Sequence, residues 1–206
     1  MRTLFIKPFL FLLLLLTTPI ISIAQNDSLA KRKSFWIPKG AIVQHGGSIG
    51  YISLGASYNI NKSGSGTLDF YYGNVPHSKG GTLHILASKV VWRPVKIKIG
   101  KNLIFHPVNP GLFLSYHMGR NFDAKWDDDE YPKGYYWWST AFRPHIAIGN
   151  ELKFDTSRLT NKTIKYVSFY SEFNTNELYL ISYFQNTHDL NLHKIFKLGL
   201  GIRAYF

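Results

Sequence analysis

Three side chains of the types used in hydrolysis fall on matching faces of two alternating segments. From Tyr136 to Phe154, polar and small residues, among them Arg143, His145, Gly149, Glu151 and Lys153, alternate with Tyr136, Phe142, Ile146, Ile148, Leu152 and Phe154. Farther along, Ser168, Tyr170, Glu172 and Asn174 alternate with Val167, Phe169 and Phe173. A hairpin around a turn at 156–162 would set His145 opposite Glu172 and Arg143 opposite Asn174, with both polar faces on one side. His145 as base, Glu172 as orienting acid and Ser168 as nucleophile would then be the catalytic candidates for general acid–base and nucleophilic work. The same residues inside a narrow barrel would satisfy one another as a hydrogen-bonded plug. The sequence favours the plug.

Metal chemistry has weaker candidates. Asp127, Asp128, Asp129 and Glu130 form an acidic run, and hard divalent cations want clustered carboxylate oxygens that could bridge to anionic surface lipid. No Asp-x-Asp-x-Asp-Gly loop with a closing Glu accompanies them, so the run reads as solvated charge. His45, His77, His84, His106, His117, His188 and His193 show no tight ligand spacing. The chain has no cysteine, which excludes disulfides, thiolate metal sites and cysteine nucleophiles. No cofactor is expected.

The elements that must position these residues come after an export segment. Arg2 and Lys7 precede the apolar run Phe9–Leu16, and Ser22 and Ala24 supply small residues before a cut after Ala24, the pattern of a secretory signal peptide over residues 1–24. Pro19 interrupts a stretch already shorter than the roughly 20 apolar residues of a membrane-spanning helix. The 206 residues carry 24 Lys+Arg against 12 Asp+Glu, a formal charge of +12 that raises nucleic acid as a partner. Export argues against that partner.

After residue 25 no stretch sustains a helical apolar period, and several alternate strictly. At the end of the chain Phe196, Leu198, Leu200, Ile202, Ala204 and Phe206 share one face, while Lys197, Gly199, Gly201, Arg203 and Tyr205 share the other. The segments run about 10–20 residues, long for soluble strands of about 5–6 and sufficient for the 9–11 that cross a bilayer. Aromatic residues are 16% of the chain, and Trp92, Tyr136, Trp137, Trp138 and Phe206 sit near strand ends where a membrane girdle would put them. Eight strands are read, at about 40–47, 49–60, 66–76, 82–93, 103–118, 135–155, 163–184 and 192–206. The expected fold is therefore all-β, a closed antiparallel eight-stranded transmembrane β-barrel over 40–206 after a periplasmic segment 25–39. A bulge at Asn174-Thr175-Asn176 is needed to keep strand seven whole and the count even.

That parity orients the charges. Lys62, Arg93, Lys96, Lys98, Lys101, Arg158, Lys162 and Lys165 fall at one set of turns, expected to face the periplasm, after Lys31, Arg32, Lys33 and Lys39. Asp123, Asp127, Asp128, Asp129 and Glu130 fall in the long connector 119–134 on the outer side.

The ending Gly201-Ile202-Arg203-Ala204-Tyr205-Phe206 resembles the C-terminal signal read by the outer-membrane barrel-assembly machinery, with Ala204 where a larger residue is usual. The layout also resembles the lipid A deacylase family of small outer-membrane barrels. The likeness rests on strand-like Tyr51–Asn61, then Gly66–Gly73, then Gly149-Asn150-Glu151-Leu152-Lys153-Phe154 before a turn and a polar strand. It implies a barrel that removes an acyl chain from lipid, through a His-x-Ser-Asn motif. Here Ser171-Glu172-Phe173-Asn174 stands at that place, keeping the Asn alone.

The expectation is an outer-membrane barrel of a Gram-negative bacterium, with membrane lipid and the assembly machinery as partners. Its role is read as structural or as surface recognition through Trp126, Tyr131, Tyr135, Tyr136, Trp137 and Trp138. The alternative is a lipid acyl-ester hydrolase working from the barrel wall, and a soluble periplasmic ligand-binding barrel is the third reading.

Overall fold

The structure is a computed structural model that describes residues 37–119, 139–156, 163–186 and 191–206. The described strands are β1 (Gly40–Gly46), β2 (Ile52–Asn59), β3 (Gly66–Val75), β4 (Leu83–Trp92), β5 (Ile97–Ile99), β6 (Leu103–Met118), β7 (Phe142–Asp155), β8 (Tyr166–Asn176) and β9 (Lys197–Tyr205). Helix α1 (Glu177–Gln185) and the single turn α2 (Leu192–Ile195) lie between β8 and β9. Every pairing is antiparallel, β1 closes the sheet against β9, and β4 pairs directly with β6. The result is a closed eight-stranded barrel, with β5 a three-residue addition along the start of β6.

The two-residue period of the sequence sets the faces. Along β6, Leu112 and Leu114 are exposed while Phe113 and Ser115 are buried. Along β9, Leu198, Leu200 and Ile202 point out and Arg203 and Tyr205 point in. Because Gly40 pairs with Tyr205, the two ends of the described chain meet at one rim, here the terminal rim. The opposite, loop rim carries the connections 47–51 and 76–82, the ends of β6 at Met118 and of β7 at Phe142, and the two helices.

Several sequence expectations are corrected. The β7–β8 register sets His145 against Asn176, and Glu172 against Gly149, instead of His145 against Glu172. The reason is the connector, which runs on through Lys165: the Thr156 amide donates to the Lys165 carbonyl at 2.9 Å, and the first pair is Asp155 with Tyr166. The shift is even, so the inward face of β8 is retained and only its level changes.

Strand β8 also stops at Asn176 rather than continuing to 184. The Asn176 side chain accepts from the Tyr179 amide at 2.9 Å, an N-cap, and Glu177 stands in the first helical turn. Residues 178–184 are apolar on nearly every side, so no helical period betrayed the change. The even strand count survives without a bulge at 174–176, because the chain turns helical at Glu177. The register irregularity lies between His106 and Asn109, around Pro107.

Strand β6 spans 103–118 as expected, whereas β1, β2, β8 and β9, with 7, 8, 11 and 9 residues, are shorter than expected. Between β1 and β2 the chain leaves the wall at Gly47–Ile49 and folds inward. Ile49 is fully buried and joins Ile42, Tyr71, Ala87 and Phe113 in a small apolar core. This turn needs Gly73 opposite it, because a Cβ there would overlap the Ile49 carbonyl oxygen. We expect Gly73→Ala to displace the turn and lower stability by about 1–3 kcal/mol, the usual cost of overpacking. Gly66→Ala, whose Cβ would meet nothing nearer than 3.4 Å, should change little in the same denaturant titration.

Residues 1–36, where the signal peptide, most of the 25–39 segment and Lys31, Arg32 and Lys33 are expected, lie outside the described residues. So do Asp123, Trp126, Asp127, Asp128, Asp129, Glu130, Tyr131, Tyr135, Tyr136, Trp137 and Trp138.

Candidate functional site in the barrel lumen

The inward faces of the strands bring together charges that are remote in sequence. Near the terminal rim, Arg203 on β9 binds Asp69 on β3 at 2.6 Å, and Ser57 on β2 donates to the same carboxylate at 2.5 Å. Beside them Glu151 on β7 is bound by the Arg93 guanidinium, by the Tyr205 hydroxyl and by Ser168 at 2.6 Å. Arg93 also donates to Thr67 at 3.2 Å. The Lys153 ammonium lies 3.6 Å from the centroid of the Tyr205 ring.

Midway, Lys89 on β4 reaches across to Glu172 on β8, its ammonium 2.6 and 2.7 Å from the two carboxylate oxygens. Gln44 and Asn174 each donate to Glu172 at 3.3 Å. Tyr170 donates to Gln44 at 2.8 Å, and Ser48 of the inward turn donates to Asn174 at 2.6 Å. Lys89 has no solvent exposure, and its ammonium lies 5.0 and 4.9 Å from the ring centroids of Tyr71 and Phe113. Charge, hydrogen bonds and ring faces together replace the water it has lost.

Toward the loop rim the Ser115 hydroxyl lies 2.9 Å from His145 Nε2 and 3.2 Å from His117 Nε2. The His145 ring stacks on Phe113 at 4.1 Å with 5° between planes. Arg143 donates to Glu177, the first residue of α1, at 2.9 Å. Each of Asp69, Glu151, Glu172 and Glu177 thus has a cationic partner. A lumen cavity lined by residues including Arg93, Asn109, Glu151, Tyr170, Glu172 and Arg203 has a volume of about 20 Å³, room for about one water.

All three catalytic candidates are buried in the lumen, and the structure separates them. His145 meets Ser115, Glu172 meets Lys89, and Ser168 meets Glu151. The imidazole–hydroxyl contact that does form joins His145 to Ser115 on β6, a strand outside the β7–β8 hairpin that the sequence pairs. Alternation of Phe113, Ser115 and His117 would have placed it inward. His145 Nδ1 is buried with no hydrogen-bond partner among the described residues. A general base needs that second nitrogen oriented. Ser115 has no solvent exposure.

Among the described residues no group of three or more His, Cys, Asp or Glu is arranged to hold a metal ion. The acidic candidates Asp127, Asp128, Asp129 and Glu130 lie outside them.

No protein family, curated protein or solved structure matches this chain in comparison. The structure shows a closed barrel, and no comparison supports the resemblance to the lipid A deacylases. At the place of their motif, Glu172 and Asn174 are buried in the lumen, Phe173 is exposed, and Ser171 bonds Asn150 at 3.1 Å.

Proposed function

We propose that this chain is an outer-membrane barrel of a Gram-negative cell, exported by a signal peptide cleaved after Ala24, that holds its loop rim at the surface for structural or recognition purposes. One observation carries the reading: the distribution of polarity is inside out. Lys89 and Asp69 have no exposure, whereas Leu112 is 64% exposed and Phe169 53%. Large apolar side chains stand exposed on all eight barrel strands, including Val43, Leu54, Phe70, Leu86, Leu112, Ile148, Phe169 and Ile202. A barrel in water would carry its charges on that surface, and a continuous apolar patch of this extent needs a partner. Lipid is the partner that surrounds a cylinder on every side. The filled lumen argues against conduction.

The test is fractionation. The chain should be recovered with the outer membrane after a high-salt wash and migrate differently on a gel before and after boiling. A soluble periplasmic product that is indifferent to boiling would overturn the proposal. In the same cells, His145→Ala should leave surface-lipid masses unchanged; an altered acyl pattern would favour acyl-ester hydrolysis instead.

A further inference from the structure

Helix α1 is unusual for a connection at the rim of a barrel. Its residues Tyr179, Ile181 and Phe184 are 40%, 37% and 74% exposed, and no residue of the helix is buried. Its one charged side chain, Glu177, is turned to Arg143. In water this apolar surface would stand largely uncovered.

The helix is also continuous with the apolar wall. Leu180 and Glu177 close a groove of about 380 Å³ whose other side is formed by wall residues including Leu112, Leu114, Pro144 and Ile146. Thr175, on the outward side of the β8 alternation, is fully buried where α1 contacts β7 and β8. Cations stand close by in the chain: His193 and Lys194 on α2 and Lys197 at the start of β9 are exposed, with the Lys197 ammonium 5.4 Å from the centroid of Tyr179.

From this arrangement we propose that α1 is an interfacial anchor, lying in the outer boundary of the bilayer with Ile181 and Phe184, three residues apart on one face, among the acyl chains, Tyr179 at headgroup level beside Lys197, and Lys194 and Lys197 on lipid phosphates. The proposal rests on the membrane reading above. Nine residues are far fewer than the roughly 20 that cross a bilayer, so the helix lies along the surface and does not span it. Apolar side chains of such helices sit about 5–10 Å into the headgroup–acyl boundary. The lysines supply the anionic-surface attraction that fixes the depth.

The chain has no cysteine, so one introduced thiol is a unique label. Phe184→Cys, Leu112→Cys and Lys62→Cys would each be labelled with an environment-sensitive fluorophore and reconstituted in phosphatidylcholine–phosphatidylglycerol vesicles, with correct folding checked by heat-modifiable migration. Lipid-tail nitroxides should quench the labels at 112 and 184 and spare that at 62. Replacing Lys194 or Lys197 by Gln should lower the ratio of inserted to withdrawn helix by about fivefold per lysine in anionic vesicles, and leave it unchanged in pure phosphatidylcholine. Quenching at 112 without quenching at 184 would overturn the anchor and leave the membrane reading intact. Quenching at neither would overturn both, and quenching at 184 that ignores the lysine variants would remove their phosphate role.

Discussion

Lys89→Met is expected to destabilise the barrel by about 3–5 kcal/mol, the cost of leaving a buried charge without its partner. The effect is large because, among the described residues, Lys89 is the cation within salt-bridge distance of Glu172. With Lys89 gone, its carboxylate keeps the Gln44 and Asn174 contacts at 3.3 Å and loses those at 2.6 and 2.7 Å. The reverse change is milder. In Glu172→Gln the ammonium keeps an amide oxygen within reach and the faces of Tyr71 and Phe113, which offset part of the loss. The paired variant Lys89→Met with Glu172→Met should be far closer to the parent than Lys89→Met alone, since removing both charges removes their desolvation cost as well. Denaturant titrations in lipid vesicles of the parent, Lys89→Met, Glu172→Met and the paired variant, read as a double-mutant cycle, measure the coupling directly. Additive losses would mean that the two residues do not form the pair described.

The second large effect belongs to the outside. Leu112→Arg places a guanidinium at the most exposed position of the apolar wall, midway along β6 between Val90 and Ile146. In a bilayer the cost at such a depth is about 2–4 kcal/mol, falling to about 0–1 near the boundary. Ile60→Arg, on an equally apolar side chain beside the 60–65 turn, is the matched shallow variant. In water neither substitution would matter much, because an exposed arginine is no burden there. Vesicle unfolding of the two variants should therefore differ by a few kcal/mol, and equal stabilities would argue against lipid around Leu112.

These effects show which parts of the architecture the sequence holds openly. Alternation is a local property, and it marks the inward positions of Ser168, Glu172, Asn174, Arg203 and His145 and the outward positions of Phe169, Leu200 and Ile202. The level at which inward residues meet is another matter. A turn at 156–162 would set His145 beside Glu172, and the connector's continuation through Lys165 moves the partner four positions on, to Asn176. Closure is harder still to read. Asp69 meets Arg203 across 134 positions and Lys89 meets Glu172 across 83, contacts between strands that are not neighbours in the sheet. No period within one strand encodes them. The inward turn at Gly47–Ile49 is visible in the sequence only as a bend, since its glycines permit a change of direction without saying which way it goes. Helix α1 is hidden because Leu178, Tyr179, Leu180 and Ile181 suit a strand as well as a helix, and the Asn176 cap decides between them.

The central claim is that lipid covers the outward face of the barrel. Spin labels on single cysteines at Val43, Phe70, Leu112, Ile148 and Ile202, five different strands, would report collision with oxygen, which concentrates in acyl chains, and with a water-soluble nickel chelate. The account predicts oxygen-dominated relaxation at all five in reconstituted vesicles, and nickel-dominated relaxation at Lys62 in the 60–65 turn. Nickel access at the five wall positions equal to that at Lys62 would contradict it.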